Sequence, residues 1–86
     1  MTDDLFIFNS ASARQMQRFC YDTGRELGLE IDDVYWSHDA VYKIHLLFIG
    51  AKTGSCQIAF TSVEIEAYPT EETQAKIRAK MEAIAE

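Results

Sequence analysis

The residues best suited to chemistry are two cysteines and two histidines, namely Cys20, His38, His45 and Cys56. Thiolate and imidazole are the usual zinc ligands, but structural zinc sites bring them in close pairs, separated by roughly two to five residues. The gaps here are much longer, and both cysteines fall on predicted apolar faces, where a free thiol is usually a core residue. A Cys–His nucleophile pair would need an exposed, activated thiolate, which nothing in the pattern indicates.

Acidic residues next to His38 are the other candidate ligands. Asp32, Asp33 and Asp39 offer carboxylate oxygens, but the EF-hand spacing of alternating acids around a central glycine is absent. No glycine-rich phosphate loop and no nucleophile-elbow motif is present either. We therefore predict no metal, no cofactor and no enzymatic activity.

Length and composition predict one folded domain spanning residues 1–86. Of the 86 residues, 48% are hydrophobic and 12% aromatic, which is typical of a globular protein and not of a disordered one. No apolar run is long enough to span a membrane, and Met1–Asp4 does not resemble the start of a signal peptide. These features predict a cytoplasmic protein with reduced cysteines.

The charge balance constrains the partners. Eight Lys and Arg against fourteen Asp and Glu give a net charge of −6. This disfavours direct binding to nucleic acid or to an anionic membrane. It is compatible with a basic protein partner, and equally with solubility alone.

The elements that position these residues are organised around a predicted β-hairpin, Val41–Thr61. Alternation along its first strand separates two faces. The wholly apolar face is predicted to lie on the core, and it comprises Tyr42, Ile44, Leu46 and Phe48. The other face comprises Val41, Lys43, His45, Leu47 and Ile49. It begins polar, with His45 half-exposed, and its apolar far half is expected to be covered as well. Cys56, Ile58 and Phe60 then alternate along the return strand.

A strand at Leu5–Phe8 and a helix are predicted before the hairpin. The helix begins at Ser12, which forms a capping box with Gln15, or at the competing cap Ser10. It ends where Gly28 can adopt the left-handed conformation, with Leu29 folding back as its apolar partner. Its apolar stripe comprises Met16, Phe19, Cys20, Thr23 and Leu27.

After Thr61 the apolar residues change phase. A bulge near Thr61–Ser62, or a break and a separate short strand, would keep Glu64 and Glu66 outward. Thr70 is the expected cap of a last helix with a narrow stripe of Ile77, Met81 and Ile84. The order β-α-β-β-β-α predicts a small two-layer α+β sandwich, with a mostly antiparallel sheet and two helices on one face. The first strand–helix–strand unit should cross over right-handed.

Two surfaces are candidates for partner binding. The segment Glu30–Asp39, with a strand at about 33–37, mixes acids and aromatics, which indicates a recognition edge. The primary predicted set is Glu30, Asp32, Asp33, Tyr35, Trp36, Asp39, Glu64 and Glu66. The secondary set, along one helix line, is Arg14, Arg18, Tyr21 and Arg25. The alternatives are a core Trp36 with solvated acids, and a solvated helix face.

These surfaces predict a small acidic interaction module. Its acidic stretches, Glu26–Asp39 and Glu64–Glu72, contain no basic residue and would dock on a basic protein. If that protein's surface normally holds DNA or RNA, the chain would inhibit it as a nucleic-acid mimic. In type, the chain resembles phage-encoded inhibitors of host defence and toxin-immunity proteins. The alternative is a structural subunit, or a homodimer formed through the open sheet face.

Overall fold

The computed structural model describes residues 10–39 and 41–85. Their elements are α1 (Ala11–Leu27), β1 (Ile31–Asp39), β2 (Ile44–Ala51), β3 (Gly54–Phe60), α2 (Ser62–Glu66) and α3 (Glu71–Ala85). The three strands form an antiparallel sheet in the order β1-β2-β3. The predicted α+β class is confirmed. The predicted strand Leu5–Phe8, and with it the crossover, lies outside the described residues.

Helix α1 has a cap at each end. The Ser10 side chain accepts a hydrogen bond from the Ala13 amide at 3.1 Å, so the helix begins at the competing cap and not at Ser12. At the other end Gly28 has φ 75°, and the Leu29 amide donates to the Gly24 carbonyl at 2.8 Å. This is a Schellman motif, and the buried Leu29 is its apolar partner, as predicted.

The two long helices lie side by side on one face of the sheet, which we call the inner face. Helix α1 contacts β1 and α3 contacts β3, and the two helices also contact each other. Their stripes join one core, in which Met16, Cys20, Ile77 and Met81 are fully buried. The predicted arrangement of two helices on one face is therefore confirmed. Among the described residues, no helix is both long enough and apolar enough to cross a membrane.

The prediction that Tyr42, Ile44, Leu46 and Phe48 face the main core is wrong, whereas the expected cover over the far half of the other face is confirmed. His45, Leu47 and Ile49 face the helices, with exposures of 3%, 0% and 0%, whereas Tyr42 is 74% exposed. Leu47 pairs with the buried Trp36. The error arose because both faces of this strand are apolar in their far half. Its polar ring predicts a half-exposed His45, but the residue is buried because its ring nitrogens form hydrogen bonds with His38 and Ser62.

The strand predicted after Thr61 is instead the short helix α2. The Glu64 amide donates to Thr61 Oγ1 at 3.2 Å, and the Thr61 amide donates to Glu64 Oε1 at 2.8 Å. This reciprocal pair is a capping box, and it starts a helix where alternation alone suggested a bulge. The change of phase that the sequence shows is the change from strand to helix, and it brings Ile65 into the core at 0% exposure.

The last helix follows its prediction. Thr70 Oγ1 accepts from the Thr73 amide at 3.2 Å, and the acids Glu71 and Glu72 occupy the first turn. Ile77 and Met81 are fully buried, and Ile84 packs at the edge of the core.

Replacing Thr61 with alanine should remove the capping box of α2. We expect the free energy of unfolding to fall by about 1 kcal/mol, because the Glu64 amide loses its acceptor. Urea unfolding measures this change. Thr61→Ser keeps the hydroxyl and should stay near the wild-type value. Equal destabilisation by alanine and serine would show that the cap contributes nothing.

Candidate binding surface

The sheet has a second face, turned away from the described helices, which we call the outer face. Strand alternation and pairing place on it Asp33, Tyr35, Ser37 and Asp39 from β1, Ile44, Leu46, Phe48 and Gly50 from β2, and Ser55, Gln57 and Ala59 from β3. Tyr35 lies directly opposite Phe48, with ring centroids 4.8 Å apart and planes tilted by 30°. Tyr35 is 45% exposed, and Ile44, Leu46 and Phe48 are partly buried. The outer face therefore presents an apolar strip with an aromatic pair on it.

The glycine at position 50 makes room for this aromatic pair. A Cβ placed on Gly50 would lie 3.1 Å from Cε2 of Phe48, closer than an ordinary contact. The phenyl ring therefore lies alongside the bare backbone of its own strand. Any side chain at this position would move the ring, and with it the partner ring of Tyr35.

Carboxylates gather where β1 begins. Asp32 and Asp33 are both exposed, at a point where the pairing of β1 with β2 shifts register. Glu30 precedes them and lies 3.6 Å from Lys52, with both side chains largely exposed. Such an exposed ion pair is weak and leaves the local charge negative. The predicted acids Glu30, Asp32 and Asp33 thus lie together at one end of the outer face.

At the other end of β1, Asp39 has a structural role. Its Oδ1 accepts from the amides of Val41 and Tyr42 at 3.0 and 3.2 Å. These bonds hold the β1–β2 turn, in which Lys43 has φ 55°. The turn leaves Val41 82% and Tyr42 74% exposed. The predicted acid is therefore less available to a partner than the two apolar side chains that follow it.

Trp36 does not belong to the binding surface. It is 9% exposed, its indole Nε1 donates to the Ala13 carbonyl at 3.2 Å, and its ring meets Phe60 edge-on at 6.0 Å. A side chain held in this way joins α1 to the sheet and cannot reach a partner. The alternative interpretation, in which Trp36 covers the core, is the one the structure bears out.

Glu64 and Glu66 lie apart from the acids of β1. Helix α2 carries both, and it packs in the helix layer through Ile65 and contacts α1. The Glu64 carboxylate is engaged in its capping box and lies 3.9 Å from Lys76 Nζ. Glu66 remains exposed. The structure therefore does not combine the two acidic stretches into one surface.

The secondary predicted set lies on the opposite side of the molecule. All four of its residues are exposed, and they occupy the side of α1 away from the sheet: Arg14, Arg18, Tyr21 and Arg25. Tyr21 is 42% exposed, and Arg25 lies 3.5 Å from Asp22. The molecule thus has an acidic and apolar side on the sheet and an arginine-bearing side on α1.

The cysteines have the character of core thiols. Burial, with a smaller contribution from Cys56, raises the pKa of Cys20 to about 12. Burial also raises the pKa of Cys56, although Lys80 opposes the shift. Neither group supplies a thiolate at neutral pH. Across residues 10–39 and 41–85, no group of three or more His, Cys, Asp and Glu side chains could hold a metal ion.

A concave space of about 230 Å³ lies between α2 and α3, lined by Val63, Glu64, Thr73 and Lys76 among others. Small-molecule sites usually have volumes of roughly 300–1,000 Å³. This space is smaller, and its Lys76 ammonium is already bonded to the Ala59 carbonyl at 2.7 Å. It adds no candidate ligand site.

The sequence did not predict one cluster of polar side chains, which comprises His38, His45 and Ser62. His45 Nε2 lies 3.0 Å from Ser62 Oγ, and the Nδ1 atoms of His45 and His38 are 3.2 Å apart. The two histidines are cross-strand partners in β1 and β2. Nothing in the spacing pointed to Ser62, because the helix that carries it was predicted as a strand.

Comparison with protein-family models, with curated proteins and with solved structures gives no match. The function is therefore inferred from the geometry and charge of the chain itself.

Proposed function

We propose that this chain binds a basic protein through the outer face of its sheet. The observation that carries the proposal is the Tyr35–Phe48 pair, which lies 4.8 Å between centroids on a face that the described helices leave uncovered. Carboxylates lie at the end of the same face, and the chain carries a net charge of −6. A partner with a basic rim around an apolar patch complements both features.

The aromatic pair would supply most of the affinity. Tyrosine is enriched among residues whose truncation costs about 2 kcal/mol or more in an interface. Tyr35 is held in place by Phe48 before any partner arrives, so little side-chain freedom is lost on binding. Ile44 and Leu46 extend the apolar strip beside it and would exclude water from the contact.

The carboxylates would favour a partner with a positively charged surface and would increase the association rate. Glu30, Asp32 and Asp33 lie at the rim of the strip, where charges mainly affect the association rate and its dependence on salt. If the partner's basic surface normally holds DNA or RNA, this binding excludes the nucleic acid. The chain then acts as an inhibitor, and its acids take the place of phosphates.

The direct test compares two tyrosines of nearly equal exposure on opposite sides of the molecule. Tyr35→Ala should weaken binding to the captured basic partner by about 30-fold, which corresponds to a hot-spot loss of about 2 kcal/mol. Tyr21→Ala, the matched control on α1, should leave the affinity unchanged. Titration calorimetry with the purified partner measures both. Loss of binding in Tyr21→Ala and not in Tyr35→Ala would move the interface to α1.

Charge reversal tests the electrostatic part. Asp32→Lys combined with Asp33→Lys should slow association and flatten its salt dependence, because the rim no longer attracts a basic surface. A labelled duplex bound to the partner should be released by the wild-type chain and retained with the variant. Release by both would show that the carboxylates do not compete with phosphate.

Self-association is the second candidate, favoured by the apolar residues Ile44, Leu46 and Phe48 on the outer face. It would place two negative surfaces together, which the net charge of −6 opposes. A sizing experiment at low and high salt separates the two functions. A dimer that strengthens with salt and is lost in Phe48→Ser supports self-association, whereas a monomer under both conditions leaves the outer face for a different protein.

A further inference from the structure

We propose that Ser62, His45 and His38 form a serine–histidine–histidine group in which Ser62 accepts an acyl group from small carboxylic esters. The hydroxyl oxygen of Ser62 lies 3.0 Å from Nε2 of His45. On the far side of the same ring, Nδ1 of His45 lies 3.2 Å from Nδ1 of His38. A nucleophile, a base within hydrogen-bond reach and a third group that orients the base are the components of a catalytic triad.

The base and the nucleophile of this group differ in burial: His45 is buried and Ser62 is exposed. His45 is 3% exposed, in the inner layer of the sheet, so its ring is held in place by packing. Ser62 is exposed at the first position of α2, where a substrate can reach its hydroxyl. His38 is half-buried on β1, directly opposite His45 in the strand pairing. The base is therefore fixed while the nucleophile is open.

Two arrangements of the protons satisfy the two hydrogen bonds described above. In one, Ser62 donates to His45 Nε2, and the proton on His45 Nδ1 is donated to His38 Nδ1. In the other, both hydrogen bonds run in the opposite direction. The first arrangement leaves Nε2 as an acceptor aimed at the serine hydroxyl, which is the state a general base requires. In the proposed group the first arrangement holds: His38 Nδ1 accepts from His45 Nδ1 and fixes this tautomer, so His38 is a positioning residue.

The proposed reaction balances without any group outside the chain except the ester and water. Ser62 Oγ forms a bond to the acyl carbon while its proton passes to His45 Nε2. The bond between the acyl carbon and the alcohol oxygen breaks, and His45 returns the proton to that leaving oxygen. Water then releases the acid from Ser62 by the same path. Because Ser62 is exposed, acetyl, a small and reactive acyl group, is a suitable probe of this reaction.

The test uses p-nitrophenyl acetate as the probe, with nitrophenolate release and peptide mass mapping as readouts. In samples stopped with acid before hydrolysis is complete, the wild-type chain should carry an acetyl group on Ser62, formed at least about 100-fold faster than on Ser55, an exposed serine on β3 far from the histidines. Ser62→Ala should abolish this label and Ser55→Ala should leave it unchanged.

Variants of the histidines separate activation from structure. His45→Gln should slow labelling of Ser62 by about 100-fold or more, because it removes the base. His38→Ala should lower the rate, and His38→Asn, which keeps an acceptor beside His45, should restore it. Equal labelling of Ser62 and Ser55 in the wild-type chain, or unchanged labelling of Ser62 in His45→Gln, overturns the proposal. Neither outcome bears on binding at the outer face.

Discussion

Replacing Trp36 with alanine is expected to lower the free energy of unfolding by about 3–5 kcal/mol. The indole is 9% exposed and fills the space between α1 and the sheet, with Phe60 at its edge. Its removal leaves a cavity and also leaves the Ala13 carbonyl without the donor that now lies 3.2 Å away. Small domains are stable by only roughly 5–15 kcal/mol, so this single change should remove a large part of the stability of the fold.

Urea unfolding followed by circular dichroism measures this loss. The variant Trp36→Phe separates the contribution of apolar packing from that of the indole hydrogen bond. Phenylalanine keeps most of the apolar contact but has no N–H, so it should cost less than alanine. A loss of less than about 1 kcal/mol in Trp36→Ala would contradict the placement of this residue in the core. It would return Trp36 to the candidate binding surface.

Replacing Gly24 with alanine is expected to destabilise the fold by about 1–3 kcal/mol. Alanine normally stabilises a helix relative to glycine by about 1 kcal/mol, so the sign of this effect is informative. A Cβ at Gly24 would lie 2.6 Å from Cγ1 and 2.9 Å from Cδ1 of Ile31. Helix α1 therefore approaches the first residue of β1 too closely for a methyl group.

A second substitution tests this reason directly. Ile31→Ala removes both atoms that the new methyl would meet, so Gly24→Ala should cost much less in the Ile31→Ala background. A double-mutant cycle of unfolding free energies measures the coupling, expected at about 1 kcal/mol or more. Independent, additive effects would show that α1 and β1 are further apart than the structure places them.

Local signals in the sequence were sufficient for the two long helices and the hairpin. Gly28 and Leu29 predicted the end of α1, and Thr70 predicted the start of α3, because caps depend on a few neighbouring side chains. The orientation of β2 depends on tertiary contacts instead. Leu46 and Leu47 are chemically alike, and the pairing of Leu47 with Trp36 decides which of them is covered. Helix α2 was predictable, since Thr61 and Glu64 have the spacing of a capping box.

The candidate surface was predicted only in part. Asp33 and Tyr35 were selected for their types and are exposed on the outer face. Phe48 was assigned to the core, so its pairing with Tyr35 was missed. Ser62 lies on α2 and His45 on β2. The two side chains come into contact only because the chain turns into α2 after β3, and no rule of sequence spacing predicts that contact.

Side-chain footprinting of the complex tests the central claim most directly. Hydroxyl radicals oxidise exposed aromatic rings, and Tyr35 and Tyr21 start from similar exposures of 45% and 42%. With the basic partner bound, oxidation of Tyr35 should fall several-fold while that of Tyr21 stays at its free value. Protection of Tyr21 with full oxidation of Tyr35 would place the interface on α1 and contradict a binding site on the outer face of the sheet.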